Sequence, residues 1–368
     1  MKAKMIGAMV AVILAGGAAM GQTHAPWPTN WNNWNDPALW ATVGNAWNVG
    51  ELSGVGVGGY GPDRICGAVG YEYRIGKFEV TAGQYTSFLN AVAKTDTYEL
   101  YSTSMVPPTP FYGWCNIERG GSPGSYTYSV PSDYANRPVN QVSWGDAARF
   151  ANWLTNGQPT GDQDASTTED GSYCLKGATD NAGLLAVARI AEANRVQDKK
   201  YYFIPSEDEW YKAAFHKNDG VTGNYFDYPT GSDDTPSNIL DTTDPGNNAN
   251  FYQGGYTIGV GICTQVGEFE NSESPYGTFD QGGNVSEWNE AIISSVPDSI
   301  SPARATRGGS WGNHWPDLGA AKRQYGNGYL YPASEDDILG FRVVEVPEPA
   351  TLAMLALGGL AVVRRRRK

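Results

Sequence analysis

The chain has 368 residues, with 26 basic and 39 acidic side chains, so its formal net charge is −13. Such an acidic surface repels phosphate backbones, so we expect no nucleic-acid partner, and metal cations or neutral glycans are better matched. Only three histidines are present, which excludes a multi-histidine metal centre.

The first 21 residues have the order of a secretory signal peptide. Lys2 and Lys4 precede an apolar run over 5–19, and Ala19-Met20-Gly21 is a small-x-small cleavage site. A short buried helix is the alternative, but it explains neither the order of charges nor the cleavage site. The sequence therefore predicts export and removal of 1–21.

Residues 22–69 form a Trp- and Asn-rich segment, whose tryptophans are either a sticky platform or an ordinary packing arm: Trp27, Trp31, Trp34 and Trp40. No Pro-rich or Gly/Ser-rich linker divides the rest of the chain, and turn-forming residues are abundant throughout. We therefore predict one loop-rich domain over 70–345.

Three segments share a helix-start pattern, a Ser or Thr at the N-cap and a side-chain acceptor three residues later. They begin at Thr81, Ser143 and Ser206. The Ala- and Leu-rich run 183–194 is a further helix candidate. Short strands are predicted where aromatic and β-branched residues are dense, at 71–78, 201–204 and 341–346.

Four cysteines are present, and none has the Cys-x-x-Cys spacing of a zinc ribbon: Cys66, Cys115, Cys174 and Cys263. Export makes disulfides chemically possible. Four cysteines allow three pairings, and the sequence does not choose among them.

The C-terminal residues 346–368 are also patterned. Val-Pro-Glu-Pro at 346–349 precedes an apolar run over 350–363 and five basic residues at 364–368. The run is short for a membrane span, which needs about 20 residues, although a plain tail anchor is the alternative. The order resembles the PEP-CTERM sorting signal, which implies an exosortase-type sorting enzyme as a partner. Without both end segments, 19 basic and 38 acidic residues remain, and the net charge falls to −19.

Six sequence blocks lie in order between about 71 and 344. The most specific are Pro-Ser-Glu-Asp-Glu-Trp at 205–210, Gly-Asn-Val-Ser-Glu-Trp at 283–288 and Leu-Gly-Phe-Arg at 339–342; the others lie at 73–81, 137–147 and 307–311. In their order these blocks resemble the formylglycine-generating (sulfatase-modifying factor) family. The resemblance implies an α+β, loop-rich, C-type lectin-like single domain with little regular secondary structure. Core packing is the expected role of its large tryptophans, namely Trp144, Trp210, Trp288 and Trp311.

The resemblance also implies structural calcium. The family's second calcium site falls on Asp280, Gly283, Val285 and Glu287, two side chains and two backbone carbonyls. Calcium takes six to eight hard oxygens, which this loop can partly supply; the alternative is a solvated acidic turn packed through Trp288. Asn250, with the carbonyl of Phe251, resembles the start of the first site, whose remaining ligands cannot be placed.

The resemblance does not extend to the family's oxidase chemistry. Catalytic members convert a substrate cysteine to formylglycine through two copper(I)-binding cysteines shortly before the Leu-Gly-Phe-Arg block. Residues 312–338 contain no cysteine, and the two positions fall near Gly319 and Gln324. Copper(I) requires soft ligands, so copper is not expected. The iron-dependent sulfoxide synthases need a histidine-rich domain, which makes that branch unlike this chain as well.

Two functions follow. The first is a non-catalytic binding module for extracellular polysaccharide or an envelope protein, located in the cell envelope, outer surface or matrix of a Gram-negative-type bacterium. Membrane contact would be limited to the two end segments. Its candidate ligand contacts lie where the family's groove would be: Trp311, His314, Trp315, Arg323 and Tyr325. The second is a formylglycine-generating-type oxidoreductase or other protein-modifying enzyme with altered chemistry.

Overall fold

A computed structural model describes residues 28, 30–59, 61–106, 114–241, 243–258, 262–293, 302–323 and 331–346. The helices are α1 (Ala82–Val92), α2 (Trp144–Thr155), α3 (Asn181–Ala186) and α4 (Glu207–Phe215). The strands are β1 (Trp40–Val43), β2 (Glu51–Ser53), β3 (Arg64–Cys66), β4 (Tyr73–Gly76), β5 (Glu118–Gly120), β6 (Thr127–Ser129), β7 (Tyr201–Phe203), β8 (Ser286–Ile293), β9 (Ala303–Arg307), β10 (Leu339–Gly340) and β11 (Val344–Val346). These elements are short and joined by long ordered loops, so the predicted loop-rich α+β class is confirmed.

The central sheet has four strands in the order β1-β4-β11-β7, all antiparallel to their neighbours. Val344 of β11 lies opposite Ile75 on one side and Phe203 on the other. The strands predicted at 71–78, 201–204 and 341–346 are therefore confirmed as β4, β7 and β11. β1 comes from the Trp-rich segment 22–69 and joins it to the central sheet, while β2 and β3 of the same segment pair with each other.

A second sheet, in the order β10-β8-β9, carries the Gly-Asn-Val-Ser-Glu-Trp and Leu-Gly-Phe-Arg blocks side by side. Leu339 and Gly340 of β10 pair in parallel with Ser286 and Glu287 of β8. A Cβ on Gly340 would lie 2.7 Å from the Val139 carbonyl oxygen, so glycine is required for this close approach. The two sequence blocks are neighbours in space because of this pairing.

The three predicted helix starts are confirmed. In α1, the Gln84 amide donates to Thr81 Oγ1 at 3.2 Å and the Thr81 amide donates to Gln84 Oε1 at 2.9 Å. The same reciprocal bonds open α2 and α4. The candidate helix over 183–194 was only partly right, since α3 ends at Ala186. Arg304 donates to the carbonyls of Leu184 and Val187, which a continuing helix would use itself.

The large tryptophans of the family blocks pack in the interior, as predicted. Trp144, Trp210 and Trp288 have no exposed surface, and Trp311 is 8% exposed. Of the N-terminal tryptophans, Trp34 and Trp40 are buried and form a ring pair at 5.9 Å, while Trp31 packs on Phe78. The described ones therefore form a packing arm, and Trp27 lies outside the described residues.

Within the described ranges, no helix is long and apolar enough to cross a membrane. The predicted signal peptide lies outside those ranges, as does the sorting tail apart from Val346. All four cysteines are described and are free thiols, with Cys174 exposed and the other three buried. None of the three possible disulfide pairings is formed.

Candidate functional site

The carboxylate of Glu287 lies in a buried ion pair with Arg342. Arg342 Nε donates to Glu287 Oε2 and Nη2 donates to Oε1, both at 2.6 Å, and Trp210 Nε1 donates to Oε2 at 2.7 Å. Arg342 also donates to the carbonyls of Gly76 and Phe279, each at 2.9 Å. Both Glu287 oxygens are thus engaged by protein donors, and the guanidinium joins three separate segments.

Two further acids lie around this pair. Glu79 is 1% exposed, and neither of its carboxylate oxygens has a hydrogen-bond partner among the described residues. Burial, followed by repulsion from Asp280, raises the pKa of Glu79 well above its usual range. Burial likewise raises the pKa of Asp280 to about 7, although Asp280 Oδ2 accepts a hydrogen bond from the Gly267 amide. Three carboxyl groups therefore share one guanidinium.

The loop between Asp280 and Glu287 is a tight turn that contains three residues in the left-handed backbone conformation. Asp280, Gly283 and Asn284 all have left-handed φ values, 59°, 91° and 52°. A Cβ on Gly283 would lie 2.2 Å from the Asn250 carbonyl oxygen, so only glycine fits there. Asn250 and Gly283 form a parallel bridge, which brings the two predicted calcium loops next to each other.

The residues of this turn include oxygen ligands of the type that the predicted calcium site requires, and one of the predicted ligands is already paired. Asp280 and the carbonyls of Gly283 and Val285 are oxygen ligands of the kind calcium takes, and the unpartnered Glu79 carboxyl adds oxygens and charge. Glu287 is instead committed to Arg342. The described residues contain no group of three or more His, Cys, Asp or Glu side chains arranged to hold a metal ion, so backbone carbonyls and water would complete the shell.

The other predicted loop is already hydrogen-bonded. Asn250 Nδ2 donates to the Ile262 carbonyl at 2.9 Å and to Asn284 Oδ1 at 2.8 Å. The Phe251 carbonyl accepts from Asn238 Nδ2 at 3.0 Å. In this arrangement Asn250 connects the loop to the Asp280–Glu287 turn, and the Phe251 carbonyl already accepts one hydrogen bond.

A row of aromatic rings lies at the surface above this turn. Its ring centroids are 5.2 Å apart between His314 and Tyr252, 5.1 Å between Tyr252 and Tyr256, and 5.7 Å between Tyr256 and Trp311. His314 is exposed and Tyr256 is 44% exposed, while Trp311 is nearly buried. We call these four residues the aromatic row.

Asp337 lies at the Trp311 end of the aromatic row. Its carboxylate accepts from Trp114 Nε1 at 3.0 Å, and its backbone carbonyl accepts from Trp311 Nε1 at 3.3 Å. Burial, and then the neighbouring Asp336, raise the pKa of Asp337 to about 6. No arginine or lysine of the described chain forms an ion pair with it.

The sequence predicted Trp311 and His314 as ligand contacts, but it did not predict the residues that lie beside them. Trp114, Tyr252, Tyr256 and Asp337 are spread over more than 200 positions and share no spacing that would join them. The available signals were indirect: two tyrosines four residues apart in a Gly-rich loop, and an acid next to the Leu-Gly-Phe-Arg block.

The other predicted ligand contacts are placed differently. Arg323 is 5% exposed and makes a two-pronged ion pair with Glu207, with both contacts at 2.8 Å. Trp315 is 44% exposed and begins a short 3-10 helix, Trp315–Leu318. Tyr325 lies outside the described residues. Arg323 is thus a structural side chain in a buried charge cluster and does not reach the aromatic row.

Cys263 lies beneath the aromatic row, packed with Val285 and Trp311. Burial, together with repulsion from Glu79, raises the pKa of this thiol well above its usual range. Burial also raises the pKa of Cys115 to about 11. Both groups are therefore neutral thiols at physiological pH, and thiolate is the form that attacks substrates and binds soft metals.

The fold and these blocks define a loop-rich α+β domain. The family model described as sulfatase-modifying factor enzyme 1-like domain matches residues 68–346, and the chain belongs to that family. The model of the PEP-CTERM protein-sorting motif matches residues 345–368. The motif indicates export to the cell envelope of a Gram-negative-type bacterium and recognition by an exosortase-type sorting system.

Solved structures give weaker similarities. They include Treponema denticola variable protein 1 (21% identity, TM-score 0.48, 84% of this chain and 95% of that one) and CarF (19% identity, TM-score 0.45, 84% and 98%). PvdO from Pseudomonas aeruginosa shares 18% identity with a TM-score of 0.40, over 78% and 85%. No curated protein sequence matched the chain.

Proposed function

We propose that this protein is a non-catalytic binding module for extracellular polysaccharide, exported to the cell surface or matrix. The aromatic row carries this proposal. Aromatic rings that are open to solvent are what sugar rings pack against, and in this row Tyr256 is 44% exposed and His314 is exposed. An envelope protein is the alternative ligand.

The absence of cysteine from 312–338 supports a non-catalytic role. The expected copper positions, near Gly319 and Gln324, carry no thiol, and Gln324 lies outside the described residues. The thiol nearest to the aromatic row, Cys263, is buried and protonated. Membership of the family alone does not transfer its oxidase activity, because function belongs to the site and not to the fold.

Calcium is a second part of the proposal, as a structural ion. Asp280 and the carbonyls of Gly283 and Val285 would hold it, with Glu79 supplying a further carboxylate. Bound calcium would neutralise the excess acid charge and fix the turn that supports Trp311, since the Trp311 amide donates to the Asn284 carbonyl at 2.9 Å. Glu287 would contribute through its ion pair with Arg342 and not as a ligand.

The test is retention of the purified protein on its host's extracellular polysaccharide. Tyr256→Ala removes an exposed ring of the aromatic row, and Trp47→Ala is the matched control, because Trp47 is 78% exposed outside the row. Saturable binding that Tyr256→Ala abolishes and Trp47→Ala preserves supports the proposal. No retention of the unmodified protein, with or without calcium, overturns it, and retention on envelope protein instead would establish the alternative.

A further inference from the structure

The aromatic row is connected to Asp337 by a continuous series of side-chain contacts. Each neighbour touches the next, from His314 through the two tyrosines to Trp311, and Trp311 then donates to the Asp337 carbonyl at 3.3 Å. Trp114 also contacts Asp337, because its indole N–H donates to the Asp337 carboxylate at 3.0 Å. Asp337 is therefore fixed at the end of the row by two indoles, one on its backbone carbonyl and one on its carboxylate.

The charged groups around Asp337 do not neutralise it. Asp336 precedes it in the chain and adds negative charge, and Cys263 below is a neutral thiol. Arg137 is a basic residue close to Cys263, as Asp337 is. Its guanidinium donates to the Cys263 carbonyl and lies over the Tyr134 ring at 5.1 Å. The partly buried carboxylate thus accepts a hydrogen bond from an indole and has no cationic partner among the described residues.

This combination is complementary to an ammonium group. A cation within about 6 Å of a Trp or Tyr face is attracted by the negative face of the ring, and a carboxylate beside it adds a charge-assisted contact. A neutral sugar would use the ring faces but leave the carboxylate uncompensated. Resting on the glycan-binding function above, we infer that the site selects polysaccharides bearing positively charged amino sugars.

Two oligosaccharides of one length test this inference. One is the tetramer of N,N,N-trimethylglucosamine, which has a fixed positive charge, and the other is the neutral tetramer of N-acetylglucosamine. Both are titrated into the full-length protein by calorimetry. The cationic tetramer is expected to bind roughly tenfold more tightly, the equivalent of about 1.4 kcal/mol.

Asp337→Asn is the informative variant, because the amide oxygen still accepts from Trp114 while the charge is lost. It is expected to lower the affinity for the cationic tetramer to that for the neutral tetramer, which removes the preference. Asp198→Asn, at an exposed acid elsewhere on the chain, is the control for the general attraction of an acidic protein. Tyr256→Ala is expected to weaken binding of both tetramers.

The outcomes separate this inference from the function on which it rests. Equal affinity for the two tetramers overturns the inference and leaves glycan binding standing. A preference that persists in Asp337→Asn, or that Asp198→Asn removes equally, also overturns it. Failure of both tetramers to bind a protein that still binds its host polysaccharide excludes amino sugars as the ligand. Failure of all three overturns glycan binding itself.

Discussion

Glu287 and Arg342 form a two-pronged ion pair with no exposed surface on either side chain. The pair joins β8 to the segment between β10 and β11, and the same guanidinium holds the carbonyls of Gly76 and Phe279. The Arg342 side chain therefore connects the central sheet, the β10-β8-β9 sheet and the turn that begins at Asp280.

Arg342→Ala should destabilise the domain by about 3–5 kcal/mol, because it leaves the Glu287 carboxylate buried without a counter-charge. The free energy of unfolding, measured in urea, checks this. Lys217→Ala is the control: its ion pair with Asp233 is largely solvent-exposed, and such pairs contribute about 0–1 kcal/mol. Equal losses in the two variants would contradict the structural role of Arg342.

Calcium should raise the melting temperature of the protein. Calcium at about one hundred times its dissociation constant would add about 2.7 kcal/mol to the free energy of unfolding, provided that it binds only the folded state. Asp280→Asn and Glu79→Gln should both reduce this gain, and Asp198→Asn should not. An unchanged melting temperature on chelation of the unmodified protein would refute the calcium site. A Glu79→Gln variant with the full calcium response would remove Glu79 from it.

Binding of the fixed-charge tetramer should depend on pH. Because the pKa of Asp337 is raised to about 6, its carboxyl keeps its proton to higher pH than an ordinary aspartate. Its negative charge, and with it the affinity for the cation, should therefore increase as pH rises from about 5 to about 7. Calorimetry at these pH values measures the change. Asp337→Asn should give a flat profile, and a parallel rise in that variant would assign the effect to another group.

The protein should not oxidise a cysteine-containing peptide in the presence of copper. The thiols closest to the aromatic row are buried and neutral, and copper(I) binds thiolates. Mass spectrometry of the peptide after incubation would detect formylglycine. Turnover that disappears in Cys263→Ser would establish the altered-chemistry enzyme in place of the binding module.

Local features of the fold could be predicted from the sequence, because their causes lie within a few residues. The Ser206–Glu209 capping box is such a case, since both partners belong to one helical turn. β1 could not be predicted, because its pairing with β4 depends on contacts about 30 positions away. The residues after Ala186 do not continue the helix for a similar reason. Arg304, on the distant strand β9, donates to the Leu184 carbonyl that a longer helix would use.

The candidate site was predictable only in part. The family blocks located the Asp280 turn and Trp311, but they did not show that Glu287 would be paired with Arg342. Arg323 was expected at the ligand surface because it follows Trp311 in sequence. Its side chain is instead buried in an ion pair with Glu207, which also forms ion pairs with Arg307 and Arg64.

β4 lies between β1 and β11, strands from opposite ends of the described chain. β11 ends at Val346, and the sorting motif begins at residue 345. A chain that crosses the membrane from its N-terminus has β4 and β7 outside long before β11 can join them. The central sheet thus closes only after β11 has crossed the membrane, since such distant pairings form late.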